Sequence, residues 1–227
     1  MRARWALDLR KIPYEWVDHV PMIGEALLRI RARKLTGKVT VPLLVDAGTV
    51  LIGSFVIAEY ADAHGEGPRL IPDELRGDIA SWDELAEDAM MFARKLVVLR
   101  TAEDDSVLRA SLPKALRNVP WALTSARRGT AFFRRKYALD AIDPSKEPLV
   151  RFLDRLRQTL AKSRFVVGTE LTYADIIAAT TLQCVRPAKR ELWDIDDGLR
   201  PAWTDEELAA RYGDLLDWRD AIFTAHR

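Results

Sequence analysis

Val41-Pro42-Leu43-Leu44-Val45-Asp46-Ala47-Gly48-Thr49-Val50-Leu51-Ile52-Gly53-Ser54-Phe55-Val56-Ile57-Ala58-Glu59-Tyr60 is the stretch on which the reading of this chain turns. Leu43 to Val45 and Val50 to Ile52 are short aliphatic runs, and Asp46-Ala47-Gly48 between them supplies turn chemistry, so the segment reads as a hairpin. Pro42 has no N–H to give to a ladder and is expected to open the first strand. At Ser54 the apolar spacing changes from strand-like to helical, and the sequence assigns that residue the N-cap.

Upstream, residues 2 to 11 read as the later turns of a helix. Trp5, Leu9 and Ile12 share one side, while Arg2, Arg4, Asp8 and Lys11 lie mostly elsewhere. Pro13 is expected to end it. Tyr14 to Val20 alternates around Trp16 and reads as a strand closed by Pro21. Gly24 to Leu35 carries a second helical pattern, with Leu27, Leu28 and Leu35 apolar, and Thr36-Gly37-Lys38 forms the loop before the hairpin.

Downstream, residues 64 to 74 contain two Gly and two Pro and read as an interdomain linker. Everything beyond looks helical. Leu75, Ile79, Trp82, Leu85, Ala86, Ala89, Ala93, Leu96 and Val97 keep helical spacing over a long segment. A second pattern runs from about Val107 to Tyr137, broken near Pro113 and Pro120. A third amphipathic helix follows Pro148, through Leu149, Phe152, Leu153, Leu156 and Leu160. In Leu171-Thr172-Tyr173-Ala174-Asp175-Ile176, Thr172 and Asp175 are spaced as a capping box, flanked by Leu171 and Ile176 at the staple positions. The uncharged run after it should be the core of the helical half. Thr204-Asp205-Glu206-Glu207-Leu208 begins a last helix.

At 227 residues the chain can bury one large core or two small ones. A net charge of +1 gives no support for nucleic acid or an anionic membrane as a bulk partner. The single cysteine, Cys184, excludes an intramolecular disulfide and fits a reducing compartment. No apolar run approaches the ~18 residues of a membrane span, and no secretory signal is evident, so a cytoplasmic protein is expected.

The succession of Val-Pro, hairpin, Ser opening a helix and Tyr six residues on resembles the glutathione-binding half of the glutathione transferases. The Thr172-x-x-Asp175 box before an apolar helix resembles their helical half. The resemblance implies an α+β fold: a thioredoxin-like domain at about 1–66 that lacks its first strand, then an all-helical bundle at about 74–227. In that family the Pro is cis, and the residue before it pairs through its backbone with the cysteinyl part of glutathione. The Ser and its amide hold the γ-glutamyl carboxylate at a helix N-terminus. Carried over, Val41, Pro42, Gly53 and Ser54 form the glutathione site. Gly53 stands where the family usually has Glu or Gln. Glutathione would serve as co-substrate for conjugation or reduction of a small apolar electrophile, and a homodimer is implied.

The family's catalytic Ser, Tyr or Cys follows a first strand, whereas Met1 to Leu7 already resembles mid-helix sequence, so no residue here receives that role. We expect from this a start placed too far downstream. A non-catalytic binding or assembly module of the same fold is the alternative. Cys184, late in an apolar helix, reads as a buried thiol. His19, His64 and His226 are far apart and suggest no metal site. Arg127, Arg128, Arg134, Arg135 and Lys136 read as a solvated helix face, with an anionic ligand, acidic partner or nucleic acid as the lesser reading. Trp82, Met90, Met91 and Phe92 read as helical core, or else as the wall of an apolar pocket.

Overall fold

Leu43–Asp46 (β1) and Thr49–Ile52 (β2) form an antiparallel hairpin in a computed structural model that describes residues 1–19, 25–34, 36, 39–136, 139–141 and 143–227. The register sets Leu43 opposite Ile52 and Asp46 opposite Thr49. Ala47 and Gly48 both take positive φ, 44° and 89°, the handedness that a two-residue hairpin turn needs to match strand twist. Among the described residues this is a two-stranded sheet. The helix after it, α3, spans Ser54–His64, and its Tyr60 hydroxyl donates to Asp46 at 2.7 Å, tying helix to turn.

Before the hairpin come α1 (Arg2–Leu9) and α2 (Glu25–Arg31). α1 buries two faces. Ala3 and Leu7 pack with Ile57 and Ala61 of α3, and Leu44 and Leu51 of the hairpin close that small cluster. Trp5 and Ala6 belong instead to the large core: Trp5 stacks on Phe223 with centroids 4.9 Å apart, and its Nε1 donates to the His226 carbonyl at 2.9 Å. The N-terminal and helical halves are therefore joined through α1.

Three expectations are corrected here. Residues 14–19 form no strand: Trp16 and Val17 are each 48% exposed, because alternation yields a strand only where a neighbouring ladder accepts its backbone groups. Arg2 is not on the outside but buried, since four acceptors converge on its guanidinium. α1 ends at Leu9, before Pro13, where Lys11 turns to φ 54°. Val20, Pro21, Gly24, Leu35, Gly37, Lys38 and Tyr137, which the sequence reads as parts of strand, helix and loop, lie outside the described residues.

The segment after α3 is fastened rather than loose. Leu70 and Ile71 are buried, and their N–H groups donate to the two Asp62 carboxylate oxygens at 2.9 and 2.6 Å. Arg10 forms an ion pair with Asp62 at 3.1 Å and donates to the carbonyls of Gly65, Gly67 and Pro68. Gly65 admits this crossing, because a Cβ there would lie 2.4 Å from the Arg10 carbonyl oxygen.

The helical half comprises α4 (Arg76–Glu103), α5 (Asp105–Ala110), α6 (Ala122–Lys136), α7 (Glu147–Leu160), α8 (Tyr173–Thr181), α9 (Arg200–Trp203), α10 (Glu206–Arg211) and α11 (Gly213–His226). The last expected helix is thus two, broken at Tyr212, with Asp205 capping the first through Leu208 N–H. Every residue of α8 is buried. The capping box at its start is formed: Asp175 accepts from Thr172 N–H at 2.8 Å and the Thr172 hydroxyl at 3.1 Å. Its other oxygen accepts from Val166 N–H at 2.8 Å, so one carboxylate closes both the cap and the preceding loop. Burial pushes the Asp175 carboxyl up to about 6 despite these bonds. Among the described residues no helix is long and apolar enough to cross a membrane.

Candidate functional site

The hairpin register brings the two sequence-designated pairs together. Because Leu43 faces Ile52, the next residues outward, Pro42 and Gly53, meet as well, and Gly53 N–H donates to the Pro42 carbonyl at 3.0 Å. The Val41–Pro42 peptide is cis, and Val41 is 52% exposed at the rim. Val41, Pro42, Gly53 and Ser54 thus form one continuous edge at the start of α3.

Ser54 is not the N-cap. Gly53 holds that position with φ 104° and ψ 146°, and Ser54 is the first helical residue. The positive φ is open to glycine and strained for other residues, so Gly53 is required by the backbone. No side chain among the described residues caps the helix. The first N–H groups of a helix have no partner within it, and here they are joined by a half-buried hydroxyl at the positive end of the helix dipole. That is the chemistry of an anion site.

One wall of this site comes from the helical half. The Ser54 side chain lies against the hydroxyl of Tyr173, the first residue of α8. The Tyr173 ring meets Phe55 edge-on at 5.7 Å, and Tyr173 N–H donates to the Leu70 carbonyl at 2.7 Å. Close by, Arg2 donates from Nε to Thr180 Oγ1 at 3.0 Å and from Nη2 to Thr181 Oγ1 at 2.9 Å. Its Nη1 donates to Asp83 at 3.1 Å and to Glu87 at 3.0 Å. Burial raises the Asp83 carboxyl above its ordinary range, with the Arg2 charge acting against it. Sequence reasoning placed neither Tyr173 nor Arg2 at the site. The signal it had was a phenol hydroxyl within the apolar run that opens α8.

The other candidates lie elsewhere. Cys184 is 3% exposed, burial pushes its thiol up to about 12, and its Sγ sits 3.4 Å from the Met90 sulfur. A thiol held so far from ionisation is a poor nucleophile. Ellman's reagent at pH 8 is expected to leave the folded chain unlabelled over minutes and to label its single thiol in guanidinium; stoichiometric labelling of the folded chain would contradict this. Trp82 and Phe92 are core residues, whereas Met91 is 57% exposed. A cleft of about 580 Å³ runs between α4, α7 and residues 166–168, lined by Leu75, Trp82, Leu85, Arg155, Thr159 and Val167 among others. It shares no residue with the edge at α3. Arg127 of the basic cluster is paired with Asp105 at 2.6 Å. Among the described residues no group of His, Cys, Asp and Glu is arranged to hold a metal ion.

Comparison with known proteins agrees with this architecture in both halves. The family profile described as glutathione S-transferase, N-terminal domain, matches residues 1–64, and the one described as glutathione S-transferase, C-terminal domain, matches residues 139–221. A probable glutathione S-transferase of Nicotiana tabacum is 32% identical over 73 residues, covering 32% of this chain and 31% of that protein. One of Solanum tuberosum is 28% identical over 89 residues, covering 38% and 40%. The matches thus span about a third of the curated relatives' length. Glutathione transferase GSTFuA2 from Phanerochaete chrysosporium superposes with a TM-score of 0.65 at 18% identity, covering 100% of this chain and 89% of that one. A glutathione S-transferase from Methylobacillus flagellatus, crystallised with GSH bound, gives 0.55 at 18%, covering 99% and 92%. Those likenesses establish the fold, a thioredoxin-like N-terminal part followed by an all-helical part. Hairpin, helix start and capping box converge with the matches on one assignment: this chain belongs to the glutathione S-transferase family.

Proposed function

We propose that the edge formed by Val41, Pro42, Gly53 and Ser54 binds glutathione, and that the protein uses it to conjugate or reduce a small apolar electrophile. The observation that carries this reading is the hairpin register, which sets the cis Val41–Pro42 peptide against the uncapped start of α3 through the Gly53 N–H to Pro42 bond. The γ-glutamyl carboxylate would accept from the Ser54 hydroxyl and the first N–H groups of α3. The exposed backbone of Val41 would pair with the cysteinyl amide. Gly53 contributes no side chain to the ligand's amino group. Solved relatives crystallised with GSH or glutathione sulfonate support the choice of ligand. In this reading residues 1–66 are the glutathione-binding domain, residues 74–227 the helical domain, and the protein acts as a cytoplasmic homodimer.

A second reading, a glutathione-binding module without turnover, is favoured by Gly53, which holds the N-cap with no side chain to offer the ligand, while the burial of Cys184 removes the single thiol from mixed-disulfide chemistry. Conjugation of glutathione to chlorodinitrobenzene separates the two. In the enzymatic reading the chain turns over, and Ser54→Ala raises KM for glutathione about tenfold by deleting a hydrogen bond to a charged group. Binding of glutathione without turnover would select the module.

A further inference from the structure

We infer that Tyr173, supplied by the helical half of the chain, is a positioning residue of the anion site at the start of α3. In this arrangement its hydroxyl donates to Ser54 Oγ while Ser54 donates to the ligand carboxylate. The inference rests on the glutathione reading above and deepens it.

Tyr173 is completely buried, and its hydroxyl has no hydrogen-bond partner among the described residues, although the Ser54 side chain lies against it. An unpaired buried hydroxyl costs about 1–3 kcal/mol, so its retention calls for an explanation. The ring cannot swing away to find another partner. Its backbone N–H is fixed to Leu70, its edge rests on Phe55, and it stands inside the wholly buried first turn of α8. The groups facing it are the Arg2 guanidinium and the Asp83 and Glu87 carboxylates, all engaged with one another. Burial raises the phenol well above its ordinary pKa, so it stays a proton donor at neutral pH.

A serine hydroxyl has one proton and two lone pairs. In the free protein Ser54 Oγ is not seated to accept from the Tyr173 hydroxyl. A carboxylate at the helix N-terminus draws the serine proton outward and re-seats Oγ with a lone pair aimed at Tyr173, and the orphaned donor gains its acceptor. Hydrogen bonds in such a chain polarise and strengthen one another. Ligand binding thereby recovers a cost carried by the free protein. It also makes affinity at α3 depend on how the helical half is docked.

Glutathione titration of the wild type, Tyr173→Phe, Ser54→Ala and the double variant tests this, with urea denaturation of each free protein. Tyr173→Phe removes only the unpaired donor, so free-state stability is expected to hold or rise while Kd for glutathione increases about fivefold. In the Ser54→Ala background the same change is expected to have no effect on Kd. γ-Aminobutyryl-cysteinylglycine, which lacks the γ-glutamyl carboxylate, should bind wild type and Tyr173→Phe equally. An unchanged Kd for glutathione in Tyr173→Phe overturns the inference while the glutathione reading stands. Equal weakening toward the analogue, or an effect that persists beside Ser54→Ala, also overturns it and assigns Tyr173 a purely structural role. Wild-type protein that binds no glutathione overturns both.

Discussion

Asp62→Ala is expected to lower the free energy of unfolding by about 3–5 kcal/mol, a large fraction of a typical domain's stability. The carboxylate is buried between Arg10 and the backbone of Leu70 and Ile71, and its removal strips three interactions from groups that water cannot reach. Arg10 would keep its carbonyl partners but lose its counter-charge in a nearly closed site. Two backbone donors would be orphaned at the point where the chain passes into the helical half. Asp62→Asn retains one acceptor and should cost less. Urea denaturation measures both, and a loss under about 1 kcal/mol for Asp62→Ala would refute the role assigned to this carboxylate.

Arg2→Met should cost a similar amount, about 3–5 kcal/mol near neutral pH, with a dependence on pH that identifies the cause. Arg2 holds Thr180, Thr181, Asp83 and Glu87 to α1. Asp83 already titrates above its ordinary range because of burial, and removal of the neighbouring positive charge raises it further. A carboxyl with a raised folded pKa keeps its proton longer in the native state than in the unfolded chain. The native state then binds more protons, and stability falls as pH rises from the unfolded value through the folded one. The variant's deficit should therefore be smaller at pH 4 than at pH 7. A deficit independent of pH would mean that lost packing, not the unpaired carboxylate, accounts for it.

The features legible in the sequence are those fixed by short-range chemistry. Gly48 in a two-residue turn, Pro148 in the first turn of α7, and Thr172 with Asp175 act on neighbours within a few residues, so their spacing is itself the signal. Long polar side chains behave differently. Arg2 is buried because Thr180 and Thr181 lie beside it across 178 and 179 positions, and Tyr173 reaches the site only because the start of α8 meets Phe55 of α3. Arg10 likewise depends on the return of the chain after α3. The misplacement at Ser54 is of another kind. A serine is a better N-cap than glycine in isolation, but the backbone leaving β2 enters the helix through φ 104°, which only Gly53 adopts without strain. Alternation in residues 14–19 misled for want of a partner ladder.

Calorimetric titration of the chain with glutathione, beside Ser54→Ala, tests the account most directly. Binding at one site per chain that is lost or severely weakened in the variant is the predicted result, because the carboxylate anchor and the helix start act together. A folded wild-type protein that gives no binding heat, and no shift in unfolding temperature at millimolar glutathione, would contradict it.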